Sequence, residues 1–437
     1  MLVQLKAQVW SQIGNGINNT VYSICYFDSV LYAGGGFTAA DNPANNIVQW
    51  NRHNWSPLGN GVNNTVFALC TYSSRLYAGG QFDSAGNNTS HYITQWNGTN
   101  WSALGTGTNK PVFALCVYKG QLYAGGGFDS AGGMATNYIA RWNGAIWSSV
   151  NGINPKRTSL PPDLHGKGVA ALAVYNGRLY AGGAFDSVNG QLANNIAVWN
   201  DTVWSPVNTG IRGHVYALCV YNSKLYAAGG MDSAGGQAVR NIAMWDGVQW
   251  TPAGSGTDGE VYSLCSNNGI LSAGGTFDSA GGQLVRNIAS WNGTNWSSLG
   301  SGVTNGRAVY TLRGYDSVLF AGGSFAEVDG SSINNIAQWV SPVLTGIYYN
   351  TMAEKRIYIF PNPAKSILTF QYEGEGNGPT TIQITDMMGK VVYCHISEDA
   401  LQNHNDYSVN ISALAAGLYI MQVSNTGEVF YNKFIKE

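Results

Sequence analysis

The stretch LYAGGQFDSAGNNTSHYITQWNGTNW (76–101) recurs with small changes along most of the chain. Each copy contains a small-residue pair, usually Gly-Gly, followed by a polar loop, and all but the last carry two tryptophans five residues apart. The first tryptophan returns at intervals of 46, 46, 57, 46, 46 and 48 residues, so one spacing dominates and one insertion interrupts it. The seven positions are Trp50, Trp96, Trp142, Trp199, Trp245, Trp291 and Trp339.

One copy divides into four short strand patterns. VYALCVY (215–221) alternates and is rich in β-forming residues, and a two-residue turn leads from it into KLYAAGG (224–230). A polar loop then leads to NIAMW (241–245) and, after a second tight turn, to VQWTPAG (248–254). Four strands per repeat of this length are typical of a β-propeller blade. The sequence therefore predicts an all-β fold with a seven-bladed β-propeller over residues 1–343.

The seventh copy is split between the two ends of the repeat region. The copy at Trp339 lacks a second tryptophan, whereas Trp10 stands alone near the start of the sequence. Open sheet edges invite mispairing, and propellers protect them by closing the ring. We therefore expect the strand around Trp10 to be the outer strand of the last blade.

Two repeated features are expected to be scaffold. A glycine pair inside a strand needs another group lying against it, so we expect aromatic rings to cover each Gly-Gly pair. We expect the paired tryptophans to pack blade against blade. Exposed platforms on which sugars stack are the alternative for these tryptophans.

The Gly-Gly doublet, the aromatic strand after it and the second tryptophan together resemble the kelch repeat. The resemblance covers residues 1 to about 343 and extends to the blades of the galactose oxidase group. It implies a propeller fold, and it would imply an oxidase only with copper-binding tyrosines and histidines. The histidines of the repeats share no common position, so we expect no copper site; they are His53, His91, His165 and His214.

Composition excludes several classes of function. Charged residues make up 11% of the 437 residues and the net charge is −2, with no basic run that could neutralise phosphates. We therefore expect no nucleic-acid partner. No apolar run is long enough to span a bilayer, so we expect no transmembrane segment. The start of the sequence is too short to hold a complete export signal, which we expect to be absent or truncated.

Five of the six cysteines occupy one repeat position, where the other two copies have Ala173 and Arg313. A position that accepts alanine favours small buried residues between blades over a required disulfide. A central metal ring is the bolder alternative. We expect no metal site and no cofactor.

Long loops carry function more often than minimal turns, and here they emerge on one face of the predicted propeller. The 57-residue interval places its extra residues on that face, in NGINPKRTSLPPDLHGKG (151–168). A tolerated surface insertion is the alternative reading. Non-repeated residues on this face are the ligand-site candidates: Lys156, Arg157, Asp163, His165, Arg212, His214 and Glu260.

An Asp-Ser pair recurs at the start of the loop that follows the Gly-Gly strand. Asp side chains at such positions bond nearby backbone N–H groups, so a repeated turn is the simplest interpretation. A calcium loop is weakly supported, because one carboxylate per loop leaves too few oxygen ligands.

The tail has a different pattern from the repeats. Residues 344–354 read as a linker, and residues 355–437 contain alternating strand patterns that predict a small β-sandwich. The tail contains, in this order, Pro361, Asn362, Pro363, Asp386, Gly389, Lys390, Gly417, Tyr419, Lys433 and Lys436. With these features in this order, the tail closely resembles the C-terminal sorting domain of the type IX secretion system of Bacteroidetes.

This resemblance implies the type IX machinery as a partner and a secreted or outer-membrane cell-surface location. It also implies O-glycosylation, because exported Bacteroidetes proteins commonly carry glycans at Asp-Ser or Asp-Thr before an apolar residue. The candidate acceptors are Ser84, Ser130, Ser187, Ser233, Ser279 and Thr202.

Three functions remain open from the sequence. The favoured one is a non-catalytic binding module for a glycan, a protein or a matrix partner, because no catalytic set of residues is evident. The second is a surface carbohydrate-active enzyme with its site near the central channel. The third is a structural adhesion or surface-layer component.

Overall fold

The structure is a computed structural model that describes residues 9–150, 152–155, 168–340, 357–372, 379–386, 391–397, 406–424 and 429–437. The chain divides into two compact units, Met1–Val343 and Leu344–Glu437. The expected linker, 344–354, lies outside the described residues.

Described strands of the first unit form seven main antiparallel sheets, which we number I to VII in chain order. The first described strand is β1 (Val9–Gln12), which belongs to sheet VII. Sheet I contains β2 (Val21–Phe27), β3 (Val30–Gly35), β4 (Ile47–Trp50) and β5 (Trp55–Pro57). Sheet II contains β6 (Val66–Tyr72), β7 (Arg75–Gly80), β10 (Ile93–Trp96) and β11 (Trp101–Ala103), and the hairpin β8 (Ser84–Ala85) and β9 (Asn88–Thr89) lies between β7 and β10 in the chain. Sheet III contains β12 (Val112–Tyr118), β13 (Gln121–Gly126), β16 (Ile139–Trp142) and β17 (Trp147–Ser149), and the hairpin β14 (Ser130–Ala131) and β15 (Met134–Ala135) lies between β13 and β16 in the chain.

Sheets IV to VII continue the same pattern. Sheet IV contains β18 (Ile153–Pro155), β19 (Gly168–Tyr175), β20 (Arg178–Val188), β21 (Gln191–Leu192), β22 (Ile196–Trp199) and β23 (Trp204–Pro206), and sheet V contains β24 (Ile211–Tyr221), β25 (Lys224–Ala234), β26 (Gln237–Ala238), β27 (Ile242–Trp245) and β28 (Trp250–Pro252). Sheet VI contains β29 (Val261–Asn267), β30 (Ile270–Gly275), β33 (Ile288–Trp291) and β34 (Trp296–Ser298), and the hairpin β31 (Ser279–Ala280) and β32 (Gln283–Leu284) lies between β30 and β33 in the chain. Sheet VII contains β1 together with β35 (Val303–Tyr315), β36 (Val318–Val328), β37 (Ser331–Ser332) and β38 (Ile336–Val340).

One strand of each sheet, which we call its inner strand, forms part of a closed ring. The inner strands are β2, β6, β12, β19, β24, β29 and β35. Each of these inner strands contacts the inner strand of the next sheet, and β35 of sheet VII contacts β2 of sheet I. In sheets I to VI the other main strands follow outward in sequence order, ending in a short strand that begins at the second tryptophan of the pair. In sheet VII the outer strand is β1, which contains Trp10. In sheets I to VI the strands are consecutive in the chain, and tight turns join the inner strand to the next one, as at Asn176 and Gly177 with φ of 47° and 68°.

The expectation that aromatic rings cover the glycine pair holds only for the second glycine, which in four sheets has a phenylalanine ring 2.9 to 3.1 Å from the position of an added Cβ. The first glycine lies against a valine. A Cβ on Gly79 would lie 2.6 Å from Cγ1 of Val112, which begins the inner strand of the next sheet. A Cβ on Gly80 would lie 2.1 Å from the Thr65 carbonyl oxygen within its own sheet. The valine contact recurs between the other sheets that carry this first glycine, including Gly322 against Val21, which joins sheet VII to sheet I.

The second tryptophan of each pair ties its sheet to the preceding one. In six of the seven sheets its indole N–H donates to a backbone carbonyl just beyond the outer strand of that preceding sheet, as Trp101 Nε1 does to Leu58 O at 2.8 Å. In sheet V the buried indole N–H of Trp250 makes no hydrogen bond to any described residue. These rings are almost fully buried; Trp55 is 0% exposed. Burial and this bond make them scaffold, which rules out exposed sugar-stacking platforms.

Sheet VII contains both ends of the repeat region. Strand β1 pairs with β38, Trp10 lies opposite Trp339, and the predicted pairing of these two tryptophans is confirmed. Trp10 Nε1 donates to Leu299 O of sheet VI at 2.9 Å, and Trp55 of sheet I donates to Ile13 O just after β1 at 3.0 Å. The first strand of the chain is therefore bonded to the sheets on both sides.

The second unit has two described sheets around one core. The strands are β39 (Ile357–Phe360), β40 (Ile367–Tyr372), β41 (Thr380–Asp386), β42 (Val391–Ser397), β43 (Tyr407–Asn410), β44 (Gly417–Ser424) and β45 (Val429–Lys436). One sheet has the order β39-β40-β43 and the other β42-β41-β44-β45. Leu368 and Phe370 of the first sheet share a buried cluster with Ile384 and Met421 of the second.

We predict that Trp10→Ala destabilises the first unit through β1. The substitution removes a buried aromatic ring and its hydrogen bond to sheet VI, at a cost of about 3 kcal/mol or more. The melting temperature should fall by roughly 5 °C or more in a thermal scan, and deletion of residues 1–14 should lower it further. Val9→Ala is the control, because Val9 is 51% exposed on the same strand. An unchanged melting temperature for both the Trp10 variant and the deletion would contradict closure by β1.

Candidate functional site

The structure brings together two of the predicted ligand-site residues. His214 of sheet V and Glu260, just before the inner strand of sheet VI, occupy the same repeat position, immediately before the repeated valine, here Val215 and Val261. Arg212 forms an ion pair with Asp232 at 3.2 Å instead, with both side chains largely exposed. The remaining candidates, Lys156, Arg157, Asp163 and His165, lie outside the described residues.

His214 and Glu260 each contact a tyrosine two residues further along. His214 Nδ1 lies 3.1 Å from the Tyr216 hydroxyl, and the Tyr262 hydroxyl donates to Glu260 Oε2 at 2.7 Å. The rings of Tyr216 and Tyr262 are 5.4 Å apart between centroids. We call these four residues the polar cluster.

Glycine at position 230 lets Glu260 lie against sheet V. Gly230 is the strand partner of His214, and a Cβ on it would lie 2.6 Å from Glu260 Oε1. The carboxylate therefore lies over the backbone opposite His214. Hydrogen-bond donors and acceptors from two sheets meet there.

The two tyrosines belong to a larger set of rings. The residue after the valine is aromatic in six sheets, and adjacent rings lie 5.1 to 5.7 Å apart, within the range of favourable aromatic pairs. We call this set the aromatic arc and the end of the ring where it lies the channel mouth. Its members, in order around the ring, are Phe113, Phe67, Tyr22, Tyr310, Tyr262 and Tyr216.

A β-bulge explains why these side chains share one location. In every sheet the pairing of the inner strand with its neighbour skips this residue, as between Val66 and Ala68, where Phe67 is left out. Bulges redirect a side chain and often lie next to functional sites. The bulge turns a position that reads as ordinary strand core toward the centre of the ring.

Sheet IV interrupts the aromatic arc. Its equivalent residue is Ala170, which lies between Phe113 of sheet III and Tyr216 of sheet V in the order of the sheets. In the sequence, Ala170 comes just after the insertion at 151–168. Within that insertion, Ile153–Pro155 form β18, which pairs with β20. The one gap in the arc therefore coincides with the one irregular interval of the repeat.

A cavity of about 220 Å³ lies inside the ring at this level. Its lining includes Phe67, Phe113, Ala170, Tyr216 and Tyr262, followed by the next two residues of each strand. Burial raises the pKa of Tyr22, Tyr262 and Tyr310, and the Glu260 carboxylate adds to the rise at Tyr262. These hydroxyls therefore stay protonated and able to donate at physiological pH.

The repeated Asp-Ser loops have a local structural role. Asn63 Oδ1 accepts hydrogen bonds from the backbone N–H groups of Asp83 and Ser84, both at 3.1 Å. In sheet VI Asp258 takes the place of this asparagine and also accepts the Ser279 hydroxyl at 2.8 Å. Their regularity therefore follows from loop structure.

The repeated cysteines lie three residues beyond the aromatic position. Burial raises the pKa of Cys70 and Cys219 to about 12 and that of Cys116 to about 11. All six cysteines are free thiols. Within the described ranges, no three His, Cys, Asp or Glu residues are grouped so that they could hold a metal ion.

Sequence reasoning missed the aromatic arc, although a signal for it is present. The six rings recur at one position, and we interpreted recurrence as scaffold. Comparing that position across copies reveals Ala170 as the exception. A position that recurs in every copy of the repeat can therefore face the channel and need not belong to the scaffold.

Residues of the tail motif converge on the last strand. Asn362 accepts a hydrogen bond from Ile435 N at 2.9 Å and donates to Lys433 O at 3.2 Å. Tyr419 stacks on Phe434 with centroids 5.7 Å apart. Gly417 pairs with Lys436, whose ammonium donates to the Glu437 carbonyl. Pro361 and Pro363 flank Asn362 and Asp386 ends β41, whereas Gly389 and Lys390 lie outside the described residues.

The tail also matches a known family. Residues 358–437 match the family described as "Secretion system C-terminal sorting domain". This segment is a type IX sorting domain. The sorting domain implies the type IX secretion machinery as a partner and places the protein at the cell surface or in the medium. Among the described residues, no helix has the length and apolarity needed to cross a bilayer.

One solved structure resembles most of the chain. It is that of PorZ, described as an essential bacterial surface component of the type-IX secretion system of human oral-microbiomic Porphyromonas gingivalis. The TM-score is 0.45 and the identity 13%, and the match covers 96% of this chain and 59% of that one. The chain thus spans less than two thirds of PorZ. No curated protein matches the present chain.

We predict that the cysteines of the first unit resist alkylation in the folded protein. Thiolate is the reactive form, and the raised pKa values leave little of it at about pH 8. Iodoacetamide followed by peptide mass spectrometry should modify Cys394, which is exposed, well before the other five. In concentrated guanidinium chloride all six should react. Equal rates for Cys394, Cys70 and Cys219 in the folded protein would contradict the burial described above.

Proposed function

We propose that the first unit is a seven-bladed β-propeller of the kelch type that serves as a non-catalytic, glycan-binding module outside the cell. The tail, as a small β-sandwich, delivers it through the type IX machinery. Seven sheets with inner strands in a closed ring, and the matching tail, support this architecture.

The aromatic arc carries the proposal. Ligand pockets combine apolar and aromatic walls with a few converging polar groups, and the arc and the polar cluster provide both at the channel mouth. A sugar ring has apolar C–H faces and hydroxyl groups at its edge. Aromatic faces suit the first, whereas Tyr216, Tyr262 and Glu260 suit the second as donors and acceptors.

Binding is favoured over hydrolysis by the composition of the polar cluster. Glycosidases use two carboxyl groups at a defined separation, but the cluster has one carboxylate, Glu260, beside one histidine and two tyrosines. No cofactor enters the proposal. Four ligand-site candidates stay predictions because they lie outside the described residues: Lys156, Arg157, Asp163 and His165. In the sequence they precede β19, the strand that carries Ala170.

We predict that Phe67→Ala weakens glycan binding by about tenfold. The loss of one ring from a continuous arc corresponds to a binding contribution of about 1.4 kcal/mol. The secreted full-length chain would be applied to a glycan array, and the dissociation constant of the best ligand measured for each variant. Tyr315→Ala is the control, because Tyr315 lies at the other end of an inner strand and is 45% exposed.

Two outcomes would contradict this function. The first is equal affinity of the Phe67 and Tyr315 variants for every bound glycan, with unchanged melting temperatures. The second is release of sugar products in a parallel hydrolysis screen that disappears in Glu260→Gln, which would favour the carbohydrate-active enzyme.

We also propose that the protein is O-glycosylated after export. Thr202 is the most accessible acceptor, because it is exposed in the turn before Trp204, whereas the five serines are half-buried in their loops. Serine candidates in these loops are Ser84, Ser130, Ser187, Ser233 and Ser279.

Protein from a type IX-secreting Bacteroidetes host should be heavier than its bare sequence. The added mass should fall in Thr202→Ala by one glycan, and Thr209→Ala, which does not follow an aspartate, should leave it unchanged. An intact mass equal to that of the bare polypeptide would contradict glycosylation at all six sites.

A further inference from the structure

We propose that the channel binds the acidic end of a glycan chain, with a uronate carboxylate paired to Arg313 inside the ring. This proposal rests on the proposed glycan-binding function and specifies its ligand. It follows from the position of Arg313, from its lack of an acidic partner and from the size of the cavity.

Arg313 occupies the repeat position of the buried thiols. It lies three residues beyond Tyr310 on β35, or about 10 Å further along the channel than the aromatic arc. The next residue, Gly314, donates its N–H to Cys265 Sγ of sheet VI at 2.9 Å. The strand thus holds Arg313 at the level of the cysteines.

The guanidinium acts on thiols from three different sheets. Burial raises the pKa of Cys25, Cys70 and Cys265, and the positive charge of Arg313 opposes that rise at each of them. These cysteines belong to sheets I, II and VI, on either side of sheet VII. The lining of the cavity ends one residue before this repeat position, at Leu69, Leu218 and Leu264 in sheets II, V and VI. By register, Arg313 therefore lies at the level where the cavity ends.

Two other cations at the channel mouth, Lys110 and Arg212, have acidic partners. Lys110 pairs with Asp129 at 2.6 Å, and Arg212 pairs with Asp232 at 3.2 Å. In the part of the chain that the structure describes, no ion pair or hydrogen bond involves the Arg313 side chain, which is exposed. The surrounding thiols remain protonated and do not neutralise it. A guanidinium in this setting suits a carboxylate, which it can bind through two N–H groups.

The cavity dimensions favour a chain end. Its volume, about 220 Å³, is below the roughly 300–1,000 Å³ typical of pockets that enclose a whole small ligand. A ligand that passes the aromatic arc and reaches Arg313 therefore enters along the channel axis by one end. Its sugar ring contacts the arc while the carboxylate lies deeper.

The test compares acidic and neutral forms of the same sugars. The probes are di- and trisaccharides ending in glucuronate, galacturonate or mannuronate, each paired with its glucose, galactose or mannose counterpart, and binding is measured by calorimetry. The full chain should bind at least one acidic probe about tenfold more tightly than its neutral counterpart, as expected for one charge-assisted contact.

Arg313→Ala should abolish this preference and leave the affinity for the neutral probe unchanged. The substitution is compatible with the fold, because Ala173 occupies the same position in sheet IV. Arg75→Ala is the matched control, since it removes one exposed positive charge from the start of β7, and it should keep the preference.

Binding without a preference for the acidic probe, or a preference that survives in Arg313→Ala, would overturn this inference while glycan binding by the arc stands. Failure of every probe to bind would count against both the inference and the proposed function.

Discussion

The close approach of a valine on one inner strand to a glycine on the preceding sheet sets the spacing of the whole ring. A Cβ at these glycines would lie only 2.4 to 2.7 Å from the valine Cγ1, so a side chain there would force neighbouring sheets apart. Because the same contact joins sheet VII to sheet I, an added displacement in one sheet could not be absorbed at an open edge. Sheet V has Ala228 at this position, so the interface between sheets V and VI accommodates one buried methyl group.

This contact also determines what reaches the channel. With the valine fixed between two sheets, the bulge after it directs the following residue to the centre of the ring. The scaffold therefore presents one variable side chain from every sheet at the same height. Aromatic residues at six of these positions and alanine at the seventh form a surface with a single notch. The polar cluster lies beside it on two adjacent sheets, and Arg313 lies below it.

Much of this architecture could be predicted because the sequence repeats. The spacing of the tryptophans led to the strand order within each sheet, and the unpaired Trp10 indicated its partner, Trp339. The valine beside the first glycine of each pair was not foreseen, since a repeat pattern shows that a residue needs a close neighbour without identifying it. The arc was missed because a bulge has no signature in an alternating strand such as VFALC. His214 and Glu260 were chosen as unrepeated residues, yet their meeting across Gly230 depends on how sheets V and VI face each other.

Closure by β1 also sets an order of events in folding. The pairing joins residues 9–12 to residues 337–340, so the first strand of the chain has no partner until nearly all of the ring has been made. The entropy of closing so long a loop grows slowly with its length, but contacts between distant residues form late. An incomplete chain therefore has two unpaired sheet edges at opposite ends of an open stack. For a protein that is exported with its sorting domain last, the compact ring is a state that only the complete repeat region can reach.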